Sequence, residues 1–231
     1  MQAEAVGASL VSSRALTART PVRSIRPLGR AFFGRDPRRV APQLLGKVLV
    51  RRTSGLYLAA RVVEVEAYLG EKDPAAHAAA GLTTRNSVLF GPPGFAYVYF
   101  IYGNHYCLNV SCEREGRAGS VLFRALEPLA GLDEMSLARG IRVRSSRDRL
   151  KLTSGPGRLA QAFGITRARD NGSDLTSPSS SLWIGSDGFR AKSVIVTPRI
   201  GITKAVEEGL RYIIADNAFV SGRKSEGFQH G

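Results

Sequence analysis

From Arg61 to Tyr68 apolar and polar residues alternate with period two, which puts Val63, Val65 and Ala67 on one sheet face and Glu64, Glu66 and Tyr68 on the other. Taken alone, such a strand turns its acidic face to solvent at the edge of a sheet. The strand signal extends back to Leu56, and others lie at Lys47 to Val50, Phe95 to Tyr102, Tyr106 to Ser111, Val121 to Leu126, Leu182 to Ile184, Val194 to Val196 and Tyr212 to Ile214. Between them, Asp36 caps a helix that reaches Leu45 with Pro42 inside it and Gly46 as its stop. Asp73-Pro74 opens a short helix that carries His77 and ends at Gly81, and Gly131 to Arg139 and Gly157 to Phe163 read as two more. Gly91-Pro92-Pro93-Gly94 is a turn, and the two strands after it fold back around Gly103-Asn104 as a hairpin with an aromatic tip. A loop of Gly103-Asn104 alone sets Tyr99 opposite Leu108 and sends Asn109 to the other face. A loop of Gly103-Asn104-His105 pairs Tyr99 with Asn109.

Strands without regular helical crossovers predict an α+β fold. The expectation is one domain over residues 31–231, with a mainly antiparallel curved β-sheet, flanking helices and a protruding β-hairpin. Residues 1–30 are rich in Arg, Ser and Ala and lack periodicity, so they read as a disordered basic arm, a composition that also suits an organelle transit peptide.

Charge narrows the partner. A formal net charge of +14 over 231 residues points to a polyanion, nucleic acid before membrane, and no apolar run is long enough to cross a bilayer. The densest basic run, Arg139, Arg142, Arg144, Arg147, Arg149 and Lys151, is relieved only by Asp148 and reads as a loop, either solvated or facing phosphates. Cys107 and Cys112 fall on opposite faces of one strand and cannot bridge there, and no Cys/His spacing suits zinc. His77, His105 and His230 are scattered, so neither a metal nor a cofactor is expected.

Several short motifs change the reading of the acidic strand. Glu64-Val65-Glu66-Ala67-Tyr68, Ala76-His77, Thr84-Arg85-Asn86, Leu89-Phe90-Gly91-Pro92-Pro93-Gly94, Tyr97-Val98-Tyr99, Leu108-Asn109-Val110, Leu122 to Pro128 and Ser154-Gly155-Pro156 follow one another in a single order. Together, from about Phe32 onward, the chain resembles the alkyladenine (3-methyladenine) DNA glycosylase family.

That resemblance implies a metal-free monofunctional enzyme that flips damaged purines out of double-stranded DNA and hydrolyses the glycosidic bond. Such chemistry passes through an oxocarbenium-like state and needs a carboxylate that activates water. The acid immediately before Ala-Tyr in the family pattern is Glu66, and Arg124 is implied to hold the water and a backbone phosphate beside it. Without the resemblance, Arg124 reads as a structural ion pair with Glu127 or another acid. Tyr68, His77, Tyr99 and Asn109 are implied to line the base pocket, which favours the longer hairpin loop or an equivalent bulge. Tyr102 is the implied wedge left in the base stack. The carbonyl of Ile214 is the expected backbone group of the water site, although Ala215 to Phe219 departs from the family's Pro-containing sequence, as Thr84 departs from its usual proline. The substrates implied are 3-methyladenine and 7-methylguanine, with hypoxanthine and ethenoadenine beside them. No lysine stands in the matching motifs as a Schiff-base nucleophile, so strand cleavage is not expected. The protein is expected to act as a monomer without a membrane, in the cytoplasm or nucleoid of a bacterium or in the nucleus or an organelle of a eukaryote. The rival reading is a catalytically silent nucleic-acid-binding module of the same fold.

Overall fold

The computed structural model describes residues 22–53, 55–101 and 103–222. Their strands, in chain order, are β1 (Arg26–Pro27), β2 (Val48–Thr53), β3 (Leu56–Tyr68), β4 (Ala96–Ile101), β5 (His105–Cys112), β6 (Gly119–Ala130), β7 (Leu182–Ser186), β8 (Val194–Thr197) and β9 (Arg211–Ile214). All pairings are antiparallel within one sheet of order β1-β7-β2-β3-β6-β5-β4, with β9 and then β8 branching from β3. The helices are α1 (Arg30–Phe33), α2 (Pro37–Leu44), α3 (Ser87–Phe90), α4 (Leu132–Arg139), α5 (Ser146–Thr153), α6 (Pro156–Ala162) and α7 (Arg167–Asp170). The α+β class and the mainly antiparallel sheet are therefore as the patterning predicts.

β3 is the axis of the sheet. One of its edges pairs with β6 from Ala59 to Tyr68, while the other is shared between β2, opposite Leu56 to Arg61, and β9, opposite Glu64 to Glu66. The solvated edge that the strand suggests when taken alone is not what forms: Glu64 and Glu66 are as fully buried as Val63 and Val65 on the opposite face. The apolar face joins Val65, Phe123 and Leu126 to Val40 and Leu44 of α2 and to Leu159 and Phe163 of the α6 region, in one core. α2 forms as its signals require, since Asp36 accepts a hydrogen bond from the Arg38 amide and Pro37 opens the first turn. Pro42 stays inside it; the helix loses a donor there, and burial of Val40, Ala41 and Leu44 holds it in place.

The fold begins earlier than Ala31. β1 pairs with β7, and Ile25 packs with Val48, Val50, Ala59 and Trp183, so residues 22–30 belong to the domain and not to an arm. Residues 1–21 of the expected arm lie outside the described residues. The basic run is likewise not a plain loop: its second half is α5, capped by Ser145, whose hydroxyl accepts from the Asp148 amide.

In the hairpin, Tyr97 pairs with Asn109, Tyr99 with Cys107 and Ile101 with His105. Three positions separate β4 from β5, but the interval starts one residue before the expected Gly103. The register differs by two residues from the pairing of Tyr99 with Asn109, a shift that preserves which face each side chain takes. Asn109 thus shares a face with Tyr99 while its direct partner is Tyr97. The expected wedge, Tyr102, lies outside the described residues.

Candidate active site

Arg124 reaches the acids through a β-bulge. Val65 pairs with Phe123 and Glu64 with Ala125, and the slip between these pairs leaves Arg124 as the extra residue on β6. Its carbonyl, freed from the ladder, accepts from the Gly155 amide at 3.0 Å. Gly155 has φ 123°, a conformation that disfavours other residues, and a side chain at Gly157 would run into His105 at 2.9 Å. Ser154-Gly155-Pro156-Gly157 is therefore the segment that closes α6 onto the bulge and onto His105 at the loop end of the hairpin.

The Arg124 guanidinium lies between two carboxylates. Its Nε donates to Glu64 Oε1 at 2.9 Å, and Nη1 stands 3.1 Å from Glu66 Oε1. The alternative partner Glu127 is engaged elsewhere, accepting from Asn217 Nδ2. Glu64 is saturated: it also receives Arg211 Nε at 2.7 Å, the Ser221 hydroxyl at 3.0 Å and the Ser221 amide at 2.5 Å. Glu66 is held differently. Oε1 accepts from the Ile200 amide at 2.8 Å, and Oε2 accepts from the Tyr68 hydroxyl at 3.0 Å. Burial pushes its carboxyl above the usual glutamate range, against the opposing pull of Arg124, the Ile200 amide and the Tyr68 hydroxyl.

The partners of Glu66 face a cavity of about 550 Å³. Tyr68, His77, Tyr97, Tyr99, Asn109, Leu122, Arg124 and the segment from Ile200 to Lys204 are on its wall. Glu66 itself, with no exposed surface, sits directly behind that wall. His77 packs edge-on to Tyr99 with ring centroids 4.4 Å apart, and Tyr97 stacks on Tyr99 at 5.4 Å. His77 Nδ1 and the Tyr97 hydroxyl are 2.9 Å apart, and burial, with the Arg85 charge, lowers the imidazole pKa. The single 3₁₀ turn His77–Ala80 is fixed by Asn86, whose amide donates to the carbonyls of His77 and Gly81 and whose oxygen accepts from the Thr83 amide. Asn109 Nδ2 is buried and has no hydrogen-bond partner, which leaves a donor unused on the cavity wall.

Of the expected site residues, Tyr68, His77, Tyr99, Asn109 and Arg124 thus meet on one cavity with Glu66 behind it. Ile214 does not join them. Its carbonyl accepts from the Asn217 amide in the turn after β9, and the carbonyl beside Arg124 is that of Ile200, 3.4 Å from Nη1. Tyr97, Arg199 and Ile200 also stand at the site, although none is among the expected site residues. The alternation of Tyr97-Val98-Tyr99 was enough to put Tyr97 beside Tyr99, whereas Arg199 and Ile200 sit in a segment without periodicity. Among the described residues no group of His, Cys, Asp and Glu is arranged to hold a metal ion, and no helix is long and apolar enough to cross a membrane.

Residues 31–218 match the family model described as methylpurine-DNA glycosylase. A relative from Koribacter versatilis (strain Ellin345), named "Putative 3-methyladenine DNA glycosylase", is 59% identical over 206 residues, covering 89% of this chain and 98% of its own. Relatives of the same name from Rhodopseudomonas palustris (strain HaA2) and Methanocella arvoryzae are each 46% identical, over 84% and 80% of this chain and 90% and 88% of theirs. With a match of this extent over the whole of the site just described, the chain belongs to the methylpurine-DNA glycosylase family.

Proposed function

We propose that this protein is a monofunctional DNA glycosylase that flips alkylated purines, 3-methyladenine and 7-methylguanine, out of duplex DNA and hydrolyses the N-glycosidic bond with a water activated by Glu66. Hypoxanthine and ethenoadenine are included as neutral substrates. The observation that carries this reading is the placement of Glu66: a buried carboxylate, fixed by Arg124, the Ile200 amide and the Tyr68 hydroxyl, behind an aromatic-walled cavity of about 550 Å³.

In this mechanism the extruded base stacks between Tyr68 on one side and His77 and Tyr99 on the other. The glycosidic bond breaks toward the base, which takes the electron pair; a base already cationic from methylation leaves as a neutral molecule. Positive charge develops on the sugar, where the Glu66 carboxylate opposes it. Water, oriented by Glu66, Arg124 and the Ile200 carbonyl, adds to C1′ and gives its proton to Glu66. Asn109 Nδ2 faces the base edge as a donor. It has no acceptor to meet in the exocyclic amine of a guanine, and this biases the pocket toward adenine-type lesions. No lysine stands in the family motifs as a Schiff-base nucleophile, and Lys204 on the cavity wall is exposed; the product proposed is an intact abasic strand. The protein works as a monomer on double-stranded DNA, to which its net charge of +14 draws it.

Incubation with methylated duplex DNA tests the reading. Release of free 3-methyladenine without strand cleavage, and without a borohydride-trapped enzyme–DNA adduct, is expected. Tight binding with no base released would make the protein a silent DNA-binding module.

A further inference from the structure

We infer that Arg199 is a positioning residue for the glycosidic step: by gripping Asp73 and the face of Tyr68, it sets the Ile200 peptide against Glu66 and holds the stacking tyrosine in place. This rests on the reading of Glu66 as the general base.

Arg199 makes more contacts than a buried ion pair requires. Its two terminal nitrogens meet the two Asp73 oxygens at 2.5 and 3.0 Å, and Nη1 also donates to the Ala67 carbonyl at 3.1 Å. Ala67 lies on β3 between Glu66 and Tyr68. The guanidinium carbon lies over the Tyr68 ring, 4.7 Å from its centroid. Asp73 in turn accepts from the amides of Leu69 and Ala75, so the fork is anchored to the turn that leads into His77. Arg199 therefore ties three parts of the site together: the backbone beside the acid, the ring on which the base stacks, and the turn before the imidazole.

The next residue is the one that touches Glu66. β8 ends at Thr197, and Gly201 has φ 79°, so Ile200 belongs to no strand. Its amide nevertheless meets Glu66 Oε1 at 2.8 Å, and its carbonyl faces Arg124. A peptide outside the sheet keeps such a position because the side chain before it is fixed on β3. Arg199 Nε is buried without a partner, so the guanidinium is placed for its fork and its plane at the expense of its own third donor. Lysine in its place could keep the charge beside Asp73, but it could not also supply the two-pronged contact, the carbonyl bond and the flat surface.

A structural role and a positioning role differ in what they do to Glu66. The groups facing that carboxylate are Tyr68 and Glu64 from its own strand, Arg124 from β6 and Cys107 from β5, while Arg211, opposite on β9, is turned to Glu64. Arg124 is held by Glu64 independently of Arg199. The Ile200 amide and the Tyr68 hydroxyl are the two donors that Arg199 places, and both favour the ionised acid. Without them burial is less opposed, and Glu66 keeps its proton to higher pH.

The test is the single-turnover release of methylpurine from methylated duplex DNA, corrected for spontaneous loss, as a function of pH. Wild type, Arg199→Lys and Asp73→Asn are compared at a temperature where circular dichroism shows each folded. Asp73→Asn keeps the shape of its residue, so one variant reports even where the other loses its fold. A displaced peptide and ring are expected to lower the plateau rate constant about tenfold or more. The acid limb is expected to move to higher pH, while DNA affinity changes by less than about threefold. An acid limb that stays at the wild-type position in both variants, whether the plateau is kept or lowered, overturns the positioning role. Wild-type protein that releases no base overturns the glycosylase reading and this proposal with it.

Discussion

Glu64 and Glu66 stand two residues apart on one buried strand and both hold Arg124, yet every acceptor of Glu64 serves the fold while Glu66 is held at the wall of a cavity. On the proposed mechanism the pair separates a structural carboxylate from a chemical one. Glu64 gathers Arg124, Arg211 and the chain at Ser221 around itself, and in doing so holds Arg124 where it can also serve Glu66.

Glu64→Gln is therefore expected to act on stability first. Removing one charge from a buried cluster leaves Arg124 and Arg211 without their common counter-ion, at a cost of about 3–5 kcal/mol. For a chain of this size that lowers the melting temperature by roughly 6–20 °C. Thermal unfolding followed by circular dichroism measures it, and an unchanged midpoint would mean that the cluster is not what holds β9 and the end of the chain to β3.

Glu66→Gln keeps the shape and the acceptor oxygen but loses both the basic site and the negative charge facing the sugar. Lesion-containing DNA is expected to bind as before, while single-turnover excision falls by at least about a hundredfold, the lower end for loss of a positioned base. Excision at the wild-type rate would remove Glu66 from the mechanism.

Part of this site was legible in the sequence because it depends on local periodicity. Alternation alone put Glu64, Glu66 and Tyr68 on one face and, given the loop parity, Asn109 on the face of Tyr99. The burial of that acidic face was not legible, because what covers it comes from far along the chain: Arg211 of β9, Ile200 after β8, and Ser221. No pattern within β3 encodes those arrivals. The hairpin register depends on where β4 ends, a choice that glycine positions alone leave open. Ile214 lies in a regular strand, whereas the carbonyl that stands 3.4 Å from Arg124 Nη1 is that of Ile200, in a stretch with neither helical nor strand period. Residues 22–30 were missed for a similar reason, since a two-residue strand such as β1 has no periodicity to read.

Acid should silence the enzyme before it unfolds it. Burial raises the Glu66 carboxyl, so the catalytic ion is lost as pH falls through a value above the ordinary glutamate range. For stability the sign is the opposite: a carboxyl whose folded pKa is raised is better accommodated protonated, so its titration does not destabilise the fold in acid. Asp73 goes the other way. Burial works against its ionised form, but the bonds from Arg199, Leu69 and Ala75 outweigh it and hold its pKa below the usual value. The stability it contributes is present above the unfolded aspartate pKa and lost only as pH falls through that lower folded value. Excision and near-ultraviolet circular dichroism measured over the same acid titration should therefore part, activity disappearing while the folded signal persists. Loss of both together would deny the elevated carboxyl its role.

Selectivity is expected to follow Asn109. Its side chain is nearly fully buried, its position is fixed by pairing with Tyr97 on one side and Leu122 on the other, and its Nδ2 is an unused donor on the cavity wall. A donor in that place meets the amine of a guanine with a second donor and with bulk, which costs a hydrogen bond and space at once. Asn109→Ser shortens the side chain and removes the amide, so guanine-type lesions gain entry while adenine-type lesions gain little. Satisfying or deleting one such contact is worth about 1–3 kcal/mol, and the ratio of excision rates on 7-methylguanine and hypoxanthine DNA should move toward guanine by roughly fivefold or more. Paired single-turnover assays on the two duplexes read that ratio directly, and because both use the same variant, any general loss of stability cancels. A ratio that does not move would make the buried amide a structural feature of β5, satisfied by an ordered water in the free protein and indifferent to the base.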